Sequence, residues 1–343
     1  MDSLLQSGIG MIIAFQGLGD WLTAPMRFFT FLSSQEFLLL VLPVVYWSIN
    51  PALGARVGFL LLLTNGLNEA FKLALHGPRP YWINPQVKAL AFEPTFGAPS
   101  GHTQTAVVIW GLVAAQLKRP WAWAVAIGLI LLVGLSRMYL GVHFLHDVML
   151  ALLIGTIILW AFLRWSDAVT AWVKRQSLGM QITLAFALSI LLLLASSAAR
   201  LSLSGWIFPV EWANSALQAG APEVPNPLGL SNSVTSAGAM FGLLAGLAWI
   251  VSRGWFSAEG PLKLRAIRFI IGVLGLLVLW YGLGKIFPDD DTLIAYSLRY
   301  LRYTLIGFWI SAGAPLVFLK LHLAEKGHSD AAPLQAEKQK DVP

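Results

Sequence analysis

Apolar residues run in long blocks along this chain, separated by short polar breaks that hold most of the charges. A helix needs about 20 predominantly apolar residues to cross a bilayer. Nine blocks approach or meet that length and predict transmembrane helices, at 33–49, 55–75, 101–117, 121–141, 146–165, 181–203, 236–252, 268–286 and 303–322. The expected fold is all-α, a polytopic transmembrane bundle of about nine spans. Residues 1–30 differ, because Leu4, Leu5, Ile12, Ile13 and Phe15 are interleaved with Gln6, Ser7, Gln16 and Asp20. That pattern predicts an amphipathic helix at the membrane interface or, equally, a short packing helix. At the other end, 324–343 is polar and charged and predicts a disordered cytoplasmic tail. Polar and ionisable residues gather at helix ends in the stretch 31–176, whereas bland loops join the apolar spans of 177–323. The first stretch is expected to be the chemical core and the second a transmembrane extension.

Composition supports lipid as the solvent. Of 343 residues, 57% are hydrophobic and 12% charged, against roughly 25% charged in soluble domains. The net charge is +6, and the basic residues sit in the breaks between apolar blocks. This distribution reads as membrane orientation and excludes a nucleic-acid partner, whose basic residues would share one polar face. Placing Arg56, Lys118, Arg119, Arg164, Lys174, Arg175, Arg253, Lys263, Arg265 and Arg268 on the cytoplasmic side predicts N-out, C-in. Residues 72–102 and 137–147 then face outward, to the periplasm if the membrane is a bacterial inner membrane. The chain has no cysteine, so disulfides, thiolate catalysis and Cys-based metal sites are excluded. The first basic residue is Arg27, so the N-terminus lacks a signal-peptide pattern.

Three clusters fall on that outer face: Lys72 with Arg79 and Pro80; Pro99, Ser100, Gly101 and His102; and Ser136, Arg137, His143, His146 and Asp147. One cation near a bilayer reads as snorkelling to headgroups. Three together, Lys72, Arg79 and Arg137, call for a shared anion, and their geometry suits phosphate. Ser100 and Gly101 open a predicted helix whose first N–H groups lack internal partners and bind anions. Ser100 also reads as a simple N-cap. His143 and Asp147 are four apart and would share one helix face if the fifth span begins at that point. The carboxylate would hold the Nδ1 proton and leave Nε2 as a nucleophile toward phosphorus. His102 is the candidate general acid and base. A metal site from His143, His146 and Asp147 is disfavoured by the nearby cations, so neither metal nor cofactor is expected. His146 reads as structural, His76 as a loop residue, and Glu69 as a partner for Lys72. The run Asp289–Asp291 reads as a solvated cap.

In order and spacing, Lys72-x6-Arg79-Pro80, Pro99-Ser100-Gly101-His102 and Ser136-Arg137-x5-His143-x3-Asp147 resemble the type 2 phosphatidic-acid phosphatase and vanadium haloperoxidase superfamily. The resemblance covers roughly residues 55–165. It implies a helical-bundle core, a metal-independent phosphatase inhibited by vanadate, and a phosphohistidine intermediate. It also implies phosphate binding by Lys72, Arg79, Ser100, Gly101 and Arg137, a nucleophilic His143 oriented by Asp147, and His102 as acid and base. Arg79-Pro80-Tyr81-Trp82 and the span count are similar to the glucose-6-phosphatase branch. The expected substrate is a lipid phosphate of the phosphatidate or polyprenyl phosphate or diphosphate type, met among membrane lipids. A sugar phosphate, or phosphotransfer to a lipid acceptor, would use the same site. A transporter is disfavoured because the polar residues converge on one face and do not cross the bilayer.

Overall fold

The computed structural model describes residues 2–327, with side chains from Leu5 onward; the predicted tail beyond residue 327 lies outside the described residues. The regular structure there is entirely helical. It runs through α1 (Asp2–Gln16), α2 (Thr23–Phe31), α3 (Gln35–Val44), α4 (Pro51–Leu75), α5 (Pro80–Ile83), α6 (Gly101–Leu117), α7 (Pro120–Tyr139) and α8 (Leu145–Lys174). It continues with α9 (Leu178–Ser202), α10 (Val210–Gln218), α11 (Ser231–Ser252), α12 (Leu262–Leu277), α13 (Leu283–Ile286), α14 (Leu293–Phe308) and α15 (Ala314–Lys320).

The helical membrane bundle is as expected. Among the described residues, six helices are long and apolar enough to cross a membrane, or seven if the bent pair Asp20–Phe31 and Gln35–Ile49 counts as one. Two further predicted spans lie outside that count, α6 with 17 residues and α4 with Arg56 near one end and Glu69 with Lys72 near the other. The last predicted span also begins earlier than expected, at Leu293, where Thr292 Oγ1 caps the helix by accepting from Ala295 N–H at 3.2 Å. Asp290 accepts from Thr292 N–H at 3.0 Å, so the acidic run holds the capping residue while Thr292 itself is the cap.

The chain divides into two compact units: residues 1–38, 64–162 and 194–229 form the first, and 39–63, 163–193 and 230–343 the second. In the first unit α6 and α7 form a hairpin. Lys118 adopts a left-handed conformation at φ 51°, and Pro120 opens α7 at a position where the missing N–H costs nothing. Ala106, Val107, Ile130 and Val133 fill the hairpin interface. Gly155 of α8 lets that helix come close, since a Cβ there would lie 2.9 Å from Val107 Cβ. The N-terminal segment is anchored by Gln16, which is buried, donates to Tyr139 O and Lys88 O at 2.9 Å, and accepts from Lys88 N–H at 3.0 Å. Trp82 of α5 packs edge-on against Phe208 at 5.2 Å and beside Trp212 of α10, and Phe96 packs against Trp206.

The second unit is held by close helix contact. Gly238, Gly242 and Gly246 line one face of α11, and Cβ atoms there would strike Tyr300 O, Thr304 O and Ser311 Oγ. Small residues four apart let two backbones approach closely where lipid gives no hydrophobic drive between helices. A π-helical turn at Trp309–Gly313 follows α14. There the Ser311 and Ile310 carbonyls accept from Tyr46 Oη at 2.7 Å and Trp47 Nε1 at 2.9 Å, so buried polar groups of Tyr46 and Trp47 are satisfied in an aromatic core.

Candidate active site

All eight site residues expected from the sequence lie in the first unit, and seven of them meet through direct contacts or shared partners. Lys72 comes from the last turn of α4, Arg79 from just before α5, Arg137 from the last turn of α7, and Ser100 from just before α6. Arg79 and Arg137 are at most 1% exposed and Lys72 7%. These cations are therefore buried, which rules out snorkelling. Arg79 is fixed by its neighbours: Nε donates to Thr95 O at 2.6 Å, Nη1 to Val142 O at 2.9 Å, and Nη2 to Phe96 O at 2.9 Å. Lys72 Nζ lies 3.4 Å from Glu69 Oε1, the pairing expected, and donates to Thr95 Oγ1 at 2.9 Å. Thr95 Oγ1 also accepts from Arg79 Nη2 at 3.3 Å, so one hydroxyl ties two of the three cations together.

His143 does not share a helix with Asp147. It sits in the short link before α8, which begins at Leu145. Asp147 lies in the first turn, and its Oδ2 accepts the Phe144 N–H at 2.9 Å. That bond turns the carboxylate back toward the link and leaves His143 Nδ1 3.5 Å away from Oδ2. This is longer than a well-formed hydrogen bond, as is common in catalytic pairs without substrate. On the other side of the ring, Arg79 Nη1 lies 3.3 Å from Nε2. A guanidinium can only donate, so Nε2 must hold the lone pair and the proton of a neutral ring must be on Nδ1, toward Asp147. Burial, then the charges of Arg79, Arg137 and Lys72, push His143 well below the usual histidine range and keep it neutral.

Ser100 stands at the N-cap position of α6, but its hydroxyl makes no capping bond and instead meets Thr103 Oγ1 at 3.0 Å. Its N–H donates to Asp147 O at 3.2 Å, which ties the start of α6 to the start of α8. Gly101 has a packing reason besides backbone approach, since a Cβ would lie 3.0 Å from Asn68 Oδ1. Asn68 itself donates to Gln104 Oε1 at 2.9 Å. His146 is 44% exposed, stacks on Phe144 and lies 3.2 Å from Asp147 Oδ1, in keeping with a structural role. His76 is exposed on a left-handed loop position at φ 39°.

Two residues of the cluster escaped the sequence reading. Thr95 is one. The other is Glu93, whose Oε1 pairs with Arg137 Nη2 and lies 3.8 Å from His102 Nδ1, while Oε2 is 4.0 Å from Arg79 Nη2. Burial alone would raise the Glu93 carboxyl, but Arg137, Arg79, His102 and Lys72 together hold it well below the usual carboxylate range. The three cations that call for a shared anion thus already have a carboxylate of the chain among them. The signal was present, because Glu93 is the one acidic residue between Arg79 and Ser100, and buried cations need a counter-charge.

A helical membrane protein that gathers three buried cations, a helix start and a neutral histidine beside an aspartate has the equipment of a membrane phosphatase. Residues 53–171 match the PAP2 superfamily, and residues 234–326 match the PAP2 superfamily phosphatase, transmembrane extension. The chain belongs to the PAP2 superfamily of membrane phosphatases. It is 32% identical to glucose-6-phosphatase 3 of Rattus norvegicus over 186 residues, which is 47% of this chain and 53% of that protein. It is 29% identical to phosphatidylglycerophosphatase B of Bacillus subtilis over 38% of this chain and 68% of that one. A longer match, at 27% identity, joins 82% of this chain to 83% of glucose-6-phosphatase catalytic subunit 1 of Felis catus. The chain spans about half the length of the glucose-6-phosphatase 3 relatives that it matches.

Proposed function

We propose that this chain hydrolyses a lipid phosphate in two displacement steps through a phosphohistidine on His143. The observation that carries the reading is the His143 ring, neutral and buried, between Arg79 on Nε2 and Asp147 near Nδ1. In the first step Nε2 attacks phosphorus and the bond to the leaving oxygen breaks. His102 gives that oxygen its proton. The Asp147 carboxylate stabilises the positive charge that His143 gains. In the second step His102 takes a proton from water, the hydroxide attacks phosphorus, and the N–P bond breaks to release phosphate. Lys72, Arg79, Arg137 and the start of α6 at Ser100 and Gly101 balance charge on the equatorial oxygens in both steps. No metal enters this scheme.

A lipid substrate, of the phosphatidate or polyprenyl phosphate or diphosphate type, is supported by the surfaces flanking the site. Phe71 and Leu75 bracket Lys72 on α4 and are 37% and 45% exposed, and Leu145 and Met149 bracket Asp147 on α8 at 44% and 57%. Apolar side chains within a turn of the charged cluster offer a path from the acyl region to the site. The orientation set by the basic residues would place that site on the outer, periplasmic face. The long match to a glucose-6-phosphatase favours a second reading, in which the ester is a sugar phosphate. Phosphate release by the purified chain in detergent with EDTA separates the two. Phosphatidate, a polyprenyl diphosphate and glucose 6-phosphate would be compared. Release from a lipid supports the first reading, and release from the sugar alone supports the second. A requirement for added metal would contradict the chemistry.

A further inference from the structure

The two-step scheme leaves one half-buried group of the site without a task. Glu93 places its carboxylate on Arg137, near His102 and near Arg79, at the separations given above. Those three side chains are the ones assigned to phosphoryl oxygens and to proton transfer, so the carboxylate sits where an oxygen of a bound phosphate would find its donors. The main chain of Glu93 is pinned. The buried Tyr81 hydroxyl donates to Glu93 O at 3.0 Å and receives Glu93 N–H at 3.4 Å. The Glu93 side chain, by contrast, is 22% exposed, so water reaches part of it.

We propose that Glu93 is an internal ligand of the phosphate seat, whose carboxylate occupies a phosphoryl-oxygen position and is displaced when substrate binds. This rests on the phosphatase reading above. A carboxylate and a phosphate dianion cannot share Arg137 at contact distance in a buried site, because like charges there repel strongly. Entry of the phosphate therefore requires the Glu93 side chain to leave. The displacement weakens ester and orthophosphate alike, so Glu93 lowers the affinity of the seat for the released anion and speeds product release, a step that often limits turnover. The ionised state of Glu93, held by the surrounding cations, fits this role.

The competing role is a scaffold that orients Arg137, and it predicts the opposite sign. The test uses the full chain in detergent, wild type against Glu93→Gln, which keeps the shape and removes the charge. Binding of orthophosphate and orthovanadate is read as inhibition of turnover and as a shift in Tm, so a folded but inactive variant still reports. The proposal expects Glu93→Gln to bind both anions about tenfold more tightly, the scale of 1.4 kcal/mol. Unchanged or weaker binding would overturn it in favour of the scaffold. Glu93→Ala repeats the test should the Gln variant fail to fold. Failure of the wild type to bind either anion would instead remove the phosphate seat itself, and the proposal with it.

Discussion

The two units bury different things. The first takes Arg79, Arg137, Lys72 and Asp147 out of water, all at 7% exposure or less, and surrounds them with carbonyls, hydroxyls and carboxylates. The second brings α11 and α14 into backbone contact along Gly238, Gly242 and Gly246, with Tyr46, Trp47 and Phe318 in an aromatic core. Burying paired charge is seldom the most stable use of an interior, and apolar replacements of such pairs are often neutral or better. Close packing of small residues, by contrast, stabilises helices in lipid. The difference teaches that the first unit gathers charge, as the proposed function requires, and the second packs helix against helix. Substitutions in the first should change rates, and those in the second should change stability.

The largest expected effect is His143→Ala, which should lower phosphate release by roughly 10⁴-fold or more while the protein remains folded in detergent. Asp147→Asn should follow, with a loss of about 10²- to 10⁴-fold in kcat and a smaller change in KM, because orientation and charge balance are lost but the cations remain. Thr95→Val removes the hydroxyl shared by Lys72 and Arg79; kcat/KM should fall about tenfold, which steady-state kinetics would read. A Thr95→Ser variant that fails to recover activity would show that the hydroxyl is not what matters there. The smallest expected kinetic effect is Gly242→Val. Its side chain would strike Thr304 O, costing about 1–3 kcal/mol of stability and lowering Tm, with kcat of the folded fraction unchanged. A kinetic defect at unchanged Tm would break the division of labour between the units.

Much of the candidate site was legible because the proposed chemistry needs particular residue types at fixed spacing. The intervals Lys72 to Arg79, Ser100 to His102 and Arg137 to Asp147 each place side chains at or beside a helix end, and the fold gathers those ends. The helical class was legible for an equally simple reason, since apolar blocks of span length admit little else in lipid. What was not legible depended on tertiary closure. Glu93 meets Arg137 across 44 residues of sequence, and no local pattern announces that pairing. Thr95 makes its key bonds through a loop with no regular structure. The His143–Asp147 relation was read as a helical i, i+4 pair, whereas Phe144 N–H captures the carboxylate and the helix starts only at Leu145. Two of the nine expected spans are less apolar or shorter than the rest, because α4 carries charged residues to the candidate site and α6 has 17 residues. In the N-terminal segment one buried glutamine bridges Tyr139 and Lys88, a contact that no local pattern announces.

The most direct test of the central claim is to trap the covalent intermediate. Purified wild type would be mixed with a ³²P-labelled lipid phosphate in EDTA, quenched in denaturant within the first turnover, and digested for peptide mapping. The account predicts label on the peptide containing His143, labile to acid and stable to base as expected of a phosphoramidate, and absent from His143→Ala. Rapid phosphate release with no trapped label, or label that persists in His143→Ala, would contradict it.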